Sequence, residues 1–178
     1  MKGLPVDARG YPIPHFVAWV DGKPDFRLLD DAKFARSLSE KTCTVCGIPL
    51  GRFKSFVGGP MNVLQRICGE PPMHRDCALF AVQACPFLLL PLARRRLANL
   101  PDDLQRVPGE EMFEEGNPGV TSIWTCTEFR AGRHVRIFEL GQATSLEWFT
   151  EGRPATTEEI AAACELAKGR LSGRGVSL

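Results

Sequence analysis

The stretch Cys43-Thr-Val-Cys46-Gly47, followed by Pro71-Pro72-Met73-His74-Arg75-Asp76-Cys77, constrains this chain more than any other feature. Two cysteines separated by two residues and followed by glycine can form a tight knuckle whose backbone amides point toward bound thiolates, and Gly47 permits the backbone this needs. His74 and Cys77 are three apart, which on a helix puts both side chains on one face, about a turn from each other. Cys43, Cys46, His74 and Cys77 together supply four N and S donors. That is the set a structural Zn2+ takes, with Zn–S near ~2.3 Å and Zn–N near ~2.0 Å. A CxxC pair can also be a redox dithiol, but such a pair is expected to open a helix after a buried strand. Here it follows Ser39-Glu40-Lys41 and leads into Gly47-Ile-Pro-Leu-Gly. Cys68, just before the prolines, is the chief rival for a ligand position. Cys85 stands about 12 Å further along any helix that runs from Cys77 at about 1.5 Å per residue.

The chain between the two half-sites reads as a β-hairpin, with Phe53–Val57 as one strand, Gly58-Gly59-Pro60 as the turn and Met61–Ile67 as the other strand. Pro71 and Pro72 are expected to set the start of the following helix, where a missing N–H costs nothing. The expected order is therefore knuckle, hairpin, helix.

A chain of 178 residues, 44% hydrophobic, can bury one core without disulfides. Seven cysteines are an odd count, no secretory apolar region opens the chain, and metal spacing accounts for three of the seven, so a reducing cytoplasm is expected. The apolar run Phe87–Leu92 is far too short to span a bilayer, so no membrane partner is expected.

Net charge is +1, but it is unevenly spread. Between 41 and 100, eight basic residues oppose Glu70 and Asp76, whereas between 101 and 118 one arginine opposes six acids. The metal-binding region is thus the basic one. Arg52, Lys54, Arg66 and Arg75 are candidate contacts to nucleic-acid phosphate; pairing with the acidic stretch is the alternative use of the same charges.

In chain order, residues 1–40 read as a loose arm (Met1–Tyr11), a hairpin (His15–Val20 and Asp25–Leu29 about an Asp21-Gly22-Lys23-Pro24 turn) and a helix from Ala32 to about Glu40, capped by Asp30 or Asp31, with Phe34 and Leu38 on its inner face. Residues 41–100 hold the metal-binding region, a helix Cys77–Cys85 stopped by Pro86 with Cys77, Phe80, Ala81 and Ala84 inward, and a second helix from Leu92 to about Leu100 carrying Arg94, Arg95 and Arg96. Residues 101–119 read as an acidic linker or loop. Residues 120–178 read as a three-strand antiparallel sheet (Val120–Phe129, His134–Leu140, Ser145–Thr150) and a helix opened by a Thr156…Glu159 capping box, with Ile160, Cys164, Ala167 and Leu171 on its core face and a frayed tail from Ser172. Cys126 and Cys164 read as core. Arg153 reads as a salt-bridge partner, with anion binding at a helix N-terminus as the other use.

The run Arg9-Gly-Tyr-Pro, Trp19-Val-Asp-Gly-Lys-Pro, Phe26-Arg27, Cys43-x-x-Cys46-Gly, Gly59-Pro-Met, Pro71-Pro-Met-His-Arg-Asp-Cys-Ala, Cys85-Pro-Phe-Leu and Gly152-Arg-Pro-Ala-Thr resembles a family of uncharacterised bacteriophage and bacterial proteins over nearly the whole chain. The resemblance implies a phage or prophage setting and no particular catalysis. In fold, the metal-binding segment resembles treble-clef zinc fingers, whose members include nucleic-acid binders, protein-interaction modules and some nucleases, so the fold leaves the function open.

Four protein donors leave no open zinc position for water or substrate. Neither an HNH-type histidine arrangement nor the His-x-Glu and Pro-Cys-x-x-Cys order of zinc deaminases is present. The expectation is an α+β protein with a treble-clef-like structural zinc, acting as a binding or adaptor module for nucleic acid. The alternatives are a module directed at a host protein, or a hydrolase or nuclease whose site the sequence does not display.

Overall fold

A computed structural model of the chain describes residues 3–90, 119–132 and 137–173. The expected helix Leu92–Leu100 with Arg94, Arg95 and Arg96, the acidic segment up to residue 118, His134 and the tail beyond Gly173 lie outside the described residues.

Alternating Val-Ala-Trp-Val and Phe-Arg-Leu-Leu around Asp21-Gly22 fold as the expected hairpin, β1 (Val17–Val20) and β2 (Lys23–Leu29). Asp21 and Gly22 both take positive φ (49° and 73°), the two-residue turn whose twist matches antiparallel strands. The arm before it is better held than its sequence suggests. The Asp7 carboxylate accepts the amides of Arg9 and Tyr11 at 2.9 Å, and Ile13 is buried. Helix α1 (Asp31–Glu40) is capped by Asp30, whose side chain accepts the Lys33 amide. Phe34 and Leu38 do pack inward.

The hairpin expected between Phe53 and Ile67 does not form. Strand β3 (Lys54–Gly58) is followed by helix α2 (Pro60–Gln65). Gly59 is its N-cap, Pro60 takes the first helical position, and the Asn62 side chain accepts the Gly59 amide at 2.8 Å. Glycine followed by proline satisfies a helix start as well as a turn, and Asn62 supplies the cap that decides for the helix. Strand β4 (Ile67–Cys68) follows and belongs to a different sheet from β3. Helix α3 (Arg75–Ala84) begins later than the prolines suggest, with His74 as N-cap, because Met73 stays extended to exchange both backbone hydrogen bonds with Ser55. Its buried residues are Cys77, Ala78 and Val82, while Phe80, Ala81 and Ala84 are half-buried. Pro86 ends it as expected and opens the short helix α4 (Pro86–Leu89).

The C-terminal third does not make a sheet of its own. Strands β5 (Thr121–Cys126), β6 (Phe129–Ala131), β7 (Phe138–Leu140), β8 (Ala143–Thr150) and β9 (Arg153–Pro154) divide between two antiparallel sheets, ordered β3-β5-β8-β9 and β4-β7-β6. The reason lies in β5, whose six residues are all buried. A strand buried on both faces needs partners on both edges for its amides and carbonyls. It takes β3 in register Phe56↔Trp124 and Val57↔Ile123, and β8 on the other side. The period-2 alternation sends Val57 and Ile123 to one core with Cys43, Met73, Cys77 and Val82, and Phe56 and Trp124 to a second with Cys68, Phe138 and Leu140.

Helix α5 (Thr157–Gly173) closes the chain and packs Ala167 and Leu171 on Met61 of α2, while Ile160 and Cys164 are half-buried. Its capping box is complete: Glu159 accepts the Thr156 amide at 2.8 Å and Thr156 Oγ1 accepts that of Glu159. Arg153 adds a two-pronged ion pair to Glu159, the salt-bridge use expected of it.

Arg153 and the Thr156 amide hold the Glu159 carboxyl down to about 2. A depressed folded value means that the cap's electrostatic contribution is full above the ordinary glutamate pKa of ~4.3 and is lost as pH falls toward 2. An NMR titration of the Glu159 side chain is expected to show this midpoint. In Arg153→Gln it rises toward the ordinary value, and added salt shifts it in the same direction because the pair is exposed.

Candidate metal centre

The knuckle is built by backbone hydrogen bonds. The Cys43 amide donates to Ile48 O and the Gly47 amide to Cys43 O, each at 2.7 Å. Gly47 closes the turn at φ +73°, which calls for glycine, and an added Cβ would also sit 3.2 Å from the exposed His15 ring, which would have to shift by a few tenths of an ångström. The arm supports the knuckle from outside, with the His15 amide on Val45 O and the Phe16 amide on Thr44 O. From inside, buried Thr44 donates its hydroxyl to Pro72 O at 3.2 Å, fastening the knuckle to the segment that precedes His74.

These supports bring Cys43, Cys46, His74 and Cys77 together, one donor atom from each lying within 4.8 Å of the others. His74 Nδ1 is 3.3 Å from Cys46 Sγ and 3.8 Å from Cys77 Sγ. A tetrahedron with the bond lengths given above has S–N edges of ~3.5 Å and S–S edges of ~3.8 Å, so the group is already near the size of a metal shell. His74 is the N-cap of α3 but makes no side-chain cap bond. Its Nε2 lies 3.1 Å from Pro49 O. An Nε2–H donated to that carbonyl leaves the Nδ1 lone pair facing the thiols, the outer-shell arrangement that orients ligand imidazoles.

Burial sets the electrostatics of the two innermost cysteines. Burial pushes the Cys43 thiol up, against the amides of Cys46, His74 and Val45 that point at its sulfur. Burial, then the neighbouring Cys43 and Cys46, push the Cys77 thiol up further. A cation beside them would offset the burial that disfavours the charged forms of Cys43 and Cys77. The donor set fits a four-coordinate, thiolate-rich ion. Cys68, the rival, lies in the other core with its Sγ on Val57 O, and Cys85 caps the far end of α3. Cys126 is core, as expected.

The four candidate basic residues are differently engaged. Arg75, first residue of α3, grips Glu147 of β8 with two hydrogen bonds of 3.1 and 2.6 Å. Lys54 donates its amine to Arg52 O and Thr127 O. Arg52 lies over the ring of Phe53 and Arg66 over that of Trp124, and neither has a carboxylate partner among the described residues. The supports from His15, Thr44, Pro49 and Glu147 carry no motif, because each acts through backbone or tertiary placement.

Fold and site thus define a mixed α+β protein with a Cys3His group able to hold a metal ion. No protein-family model matches the chain, and no curated protein or solved structure matches it either. Among the described residues, no helix is long and apolar enough to cross a membrane.

Elemental analysis of untagged protein is expected to find one metal ion per chain, lost in Cys43→Ser and His74→Ala and kept in Cys68→Ser. A metal-free wild type, or iron with sulfide, overturns the assignment. Gly47→Ala is expected to lower the melting temperature by several degrees, on the order of 1–3 kcal/mol, from strain at positive φ and the clash with His15.

Proposed function

We propose that Cys43, Cys46, His74 and Cys77 hold a structural zinc ion and that the protein is a non-catalytic binding module for nucleic acid, of phage or prophage origin. The observation that carries the reading is the closed donor set: four protein atoms already near tetrahedral spacing leave no position for water or substrate. Three soft thiolates and one imidazole favour zinc over harder ions. When bound, the ion supplies the counter-charge that the crowded sulfurs lack, and contributes on the order of 10 kcal/mol to folding of its surroundings. A thiolate centre of this kind belongs in a reducing compartment, which supports the cytoplasm of a host cell. The ligand order, knuckle then strand then helix N-terminus, is treble-clef-like, with β5 standing where a local hairpin strand is usual. The phage setting rests on the Cys-x-x-Cys-Gly and Pro-Pro-x-His-x-x-Cys-Ala motifs.

Nucleic acid is favoured by charge. From Lys41 to Gly69 the chain carries four basic residues and no acidic one. Arg52 and Arg66 are the guanidinium groups left for phosphate, since Arg75 and Lys54 are engaged within the fold. A second reading, a module directed at a host protein, is supported by a different surface. Tyr11, Trp19 and Phe26 are exposed on the N-terminal arm and hairpin, with Arg9 lying over Tyr11 and Phe26. That is the residue composition of protein-binding hot spots.

A salt series separates the two. Binding to a labelled DNA or RNA is expected to weaken with log salt at a slope of about −0.9 per phosphate neutralised, and Arg52→Ala and Arg66→Ala each reduce that slope by about one. Absence of binding even at low salt removes the nucleic-acid reading and leaves the protein-directed one.

A further inference from the structure

The loop between the knuckle and β3, residues 47–53, has a firmly held backbone and an exposed set of side chains. Its start is pinned by Cys43 N–H to Ile48 O and Leu50 N–H to Lys41 O, its middle by His74 Nε2 on Pro49 O, and its end by the Lys54 amine on Arg52 O. Yet Ile48 and Phe53 are 60% and 50% exposed, more than any folding role for an isoleucine and a phenylalanine requires. Gly51 has neither a positive φ nor any atom within 4 Å of where a Cβ would stand. The backbone at Gly51 is therefore exposed and uncovered beside Arg52. The Arg52 guanidinium stands 5.6 Å over the Phe53 ring.

We infer that this loop is a recognition element for single-stranded nucleic acid, in which an unpaired base stacks on Phe53 and the adjoining phosphate meets Arg52 beside the bare backbone of Gly51. The inference rests on the nucleic-acid reading and specifies its substrate class. An exposed ring on a pinned loop offers a π-face that accepts any unpaired base, whereas the bases of a duplex are stacked on one another and present none. The absence of acidic residues from 41 to 69 suits a polyanion better than a protein surface of mixed charge. The Pro49 carbonyl links the loop directly to the His74 imidazole, so an ion bound by His74 would also steady the loop.

The test is fluorescence anisotropy of the full-length, metal-loaded protein with a labelled twelve-nucleotide oligothymidylate, and with a duplex of equal length, at low salt. Wild type is compared with Phe53→Ala, Phe53→Trp and Gly51→Val, each checked by circular dichroism and metal content. The inference expects tighter binding to the single strand. It also expects a loss of roughly tenfold or more in Phe53→Ala, with the salt slope unchanged because no charge is removed, retention in Phe53→Trp and weakening in Gly51→Val. Single-strand affinity that is unchanged in Phe53→Ala, or a duplex bound as tightly, overturns the inference while leaving nucleic-acid binding standing. No binding of either probe overturns both, and the metal content is read independently.

Discussion

Two backbone hydrogen bonds between Ser55 and Met73 decide where His74 stands, and the Cys3His group depends on them. Strand β3 is paired along one edge with β5 and touches the incoming chain at Met73 on the other, so the residue next to the ligand is fixed to the sheet itself. Thr44 adds a second tie, from the middle of the knuckle to Pro72. The four donors therefore do not rely on an ion alone to bring them together. Sheet, proline segment and knuckle hold the two half-sites opposite one another, and Arg75 locks the start of α3 to β8 through Glu147. That last pair is half-exposed, so its worth is modest and sensitive to salt; it sets orientation more than stability.

This scaffolding explains why the centre sits at the boundary of the protein and not in its middle. Cys43 and Cys77 are buried, whereas Cys46 and His74 are partly open. Deep burial of three thiolates around a dication would strand a net negative charge in low dielectric. Here amides of the knuckle and of His74 point at Cys43, and the N-terminal end of α3 faces the group. These are fixed positive partial charges placed where the excess negative charge would be. The second core needs no such arrangement, since Phe56, Phe129 and Phe138 pack on one another, Phe129 edge to face on the other two, around the thiols of Cys68 and Cys126.

What was legible in the sequence was local chemistry. Asp21-Gly22 turned the first hairpin, Asp30 capped α1, Thr156 and Glu159 boxed the start of α5, and the spacing of Cys43, Cys46, His74 and Cys77 anticipated a group that the fold does assemble. In each case a few neighbouring residues carry the whole argument. What misled was pairing at long range. Gly58-Gly59-Pro60 is compatible with either a turn or a helix start, and Asn62, three residues on from Gly59, tipped it to a helix. With no hairpin, β3 had to find β5 some 70 residues away, a choice made by the burial of both faces of β5 and carried by no local motif. The expected C-terminal sheet dissolved for the same reason. Pro71 and Pro72 likewise read as a helix start, but the Met73 amide was needed by Ser55.

The separation of these contacts along the chain gives a bound ion a further consequence. Joining Cys46 to His74 closes a loop of 28 residues, whereas β3 and β5 meet only across 70. Closing a loop costs entropy that grows slowly with its length, and long-range strand pairing bears that cost before any contact compensates it. An ion bound by Cys46 and His74 would close the shorter of these two loops, reinforcing the contact that Ser55 and Met73 already make through their backbones. A bound ion would therefore act first on the segment between its two half-sites, which carries β3 and the exposed loop before it.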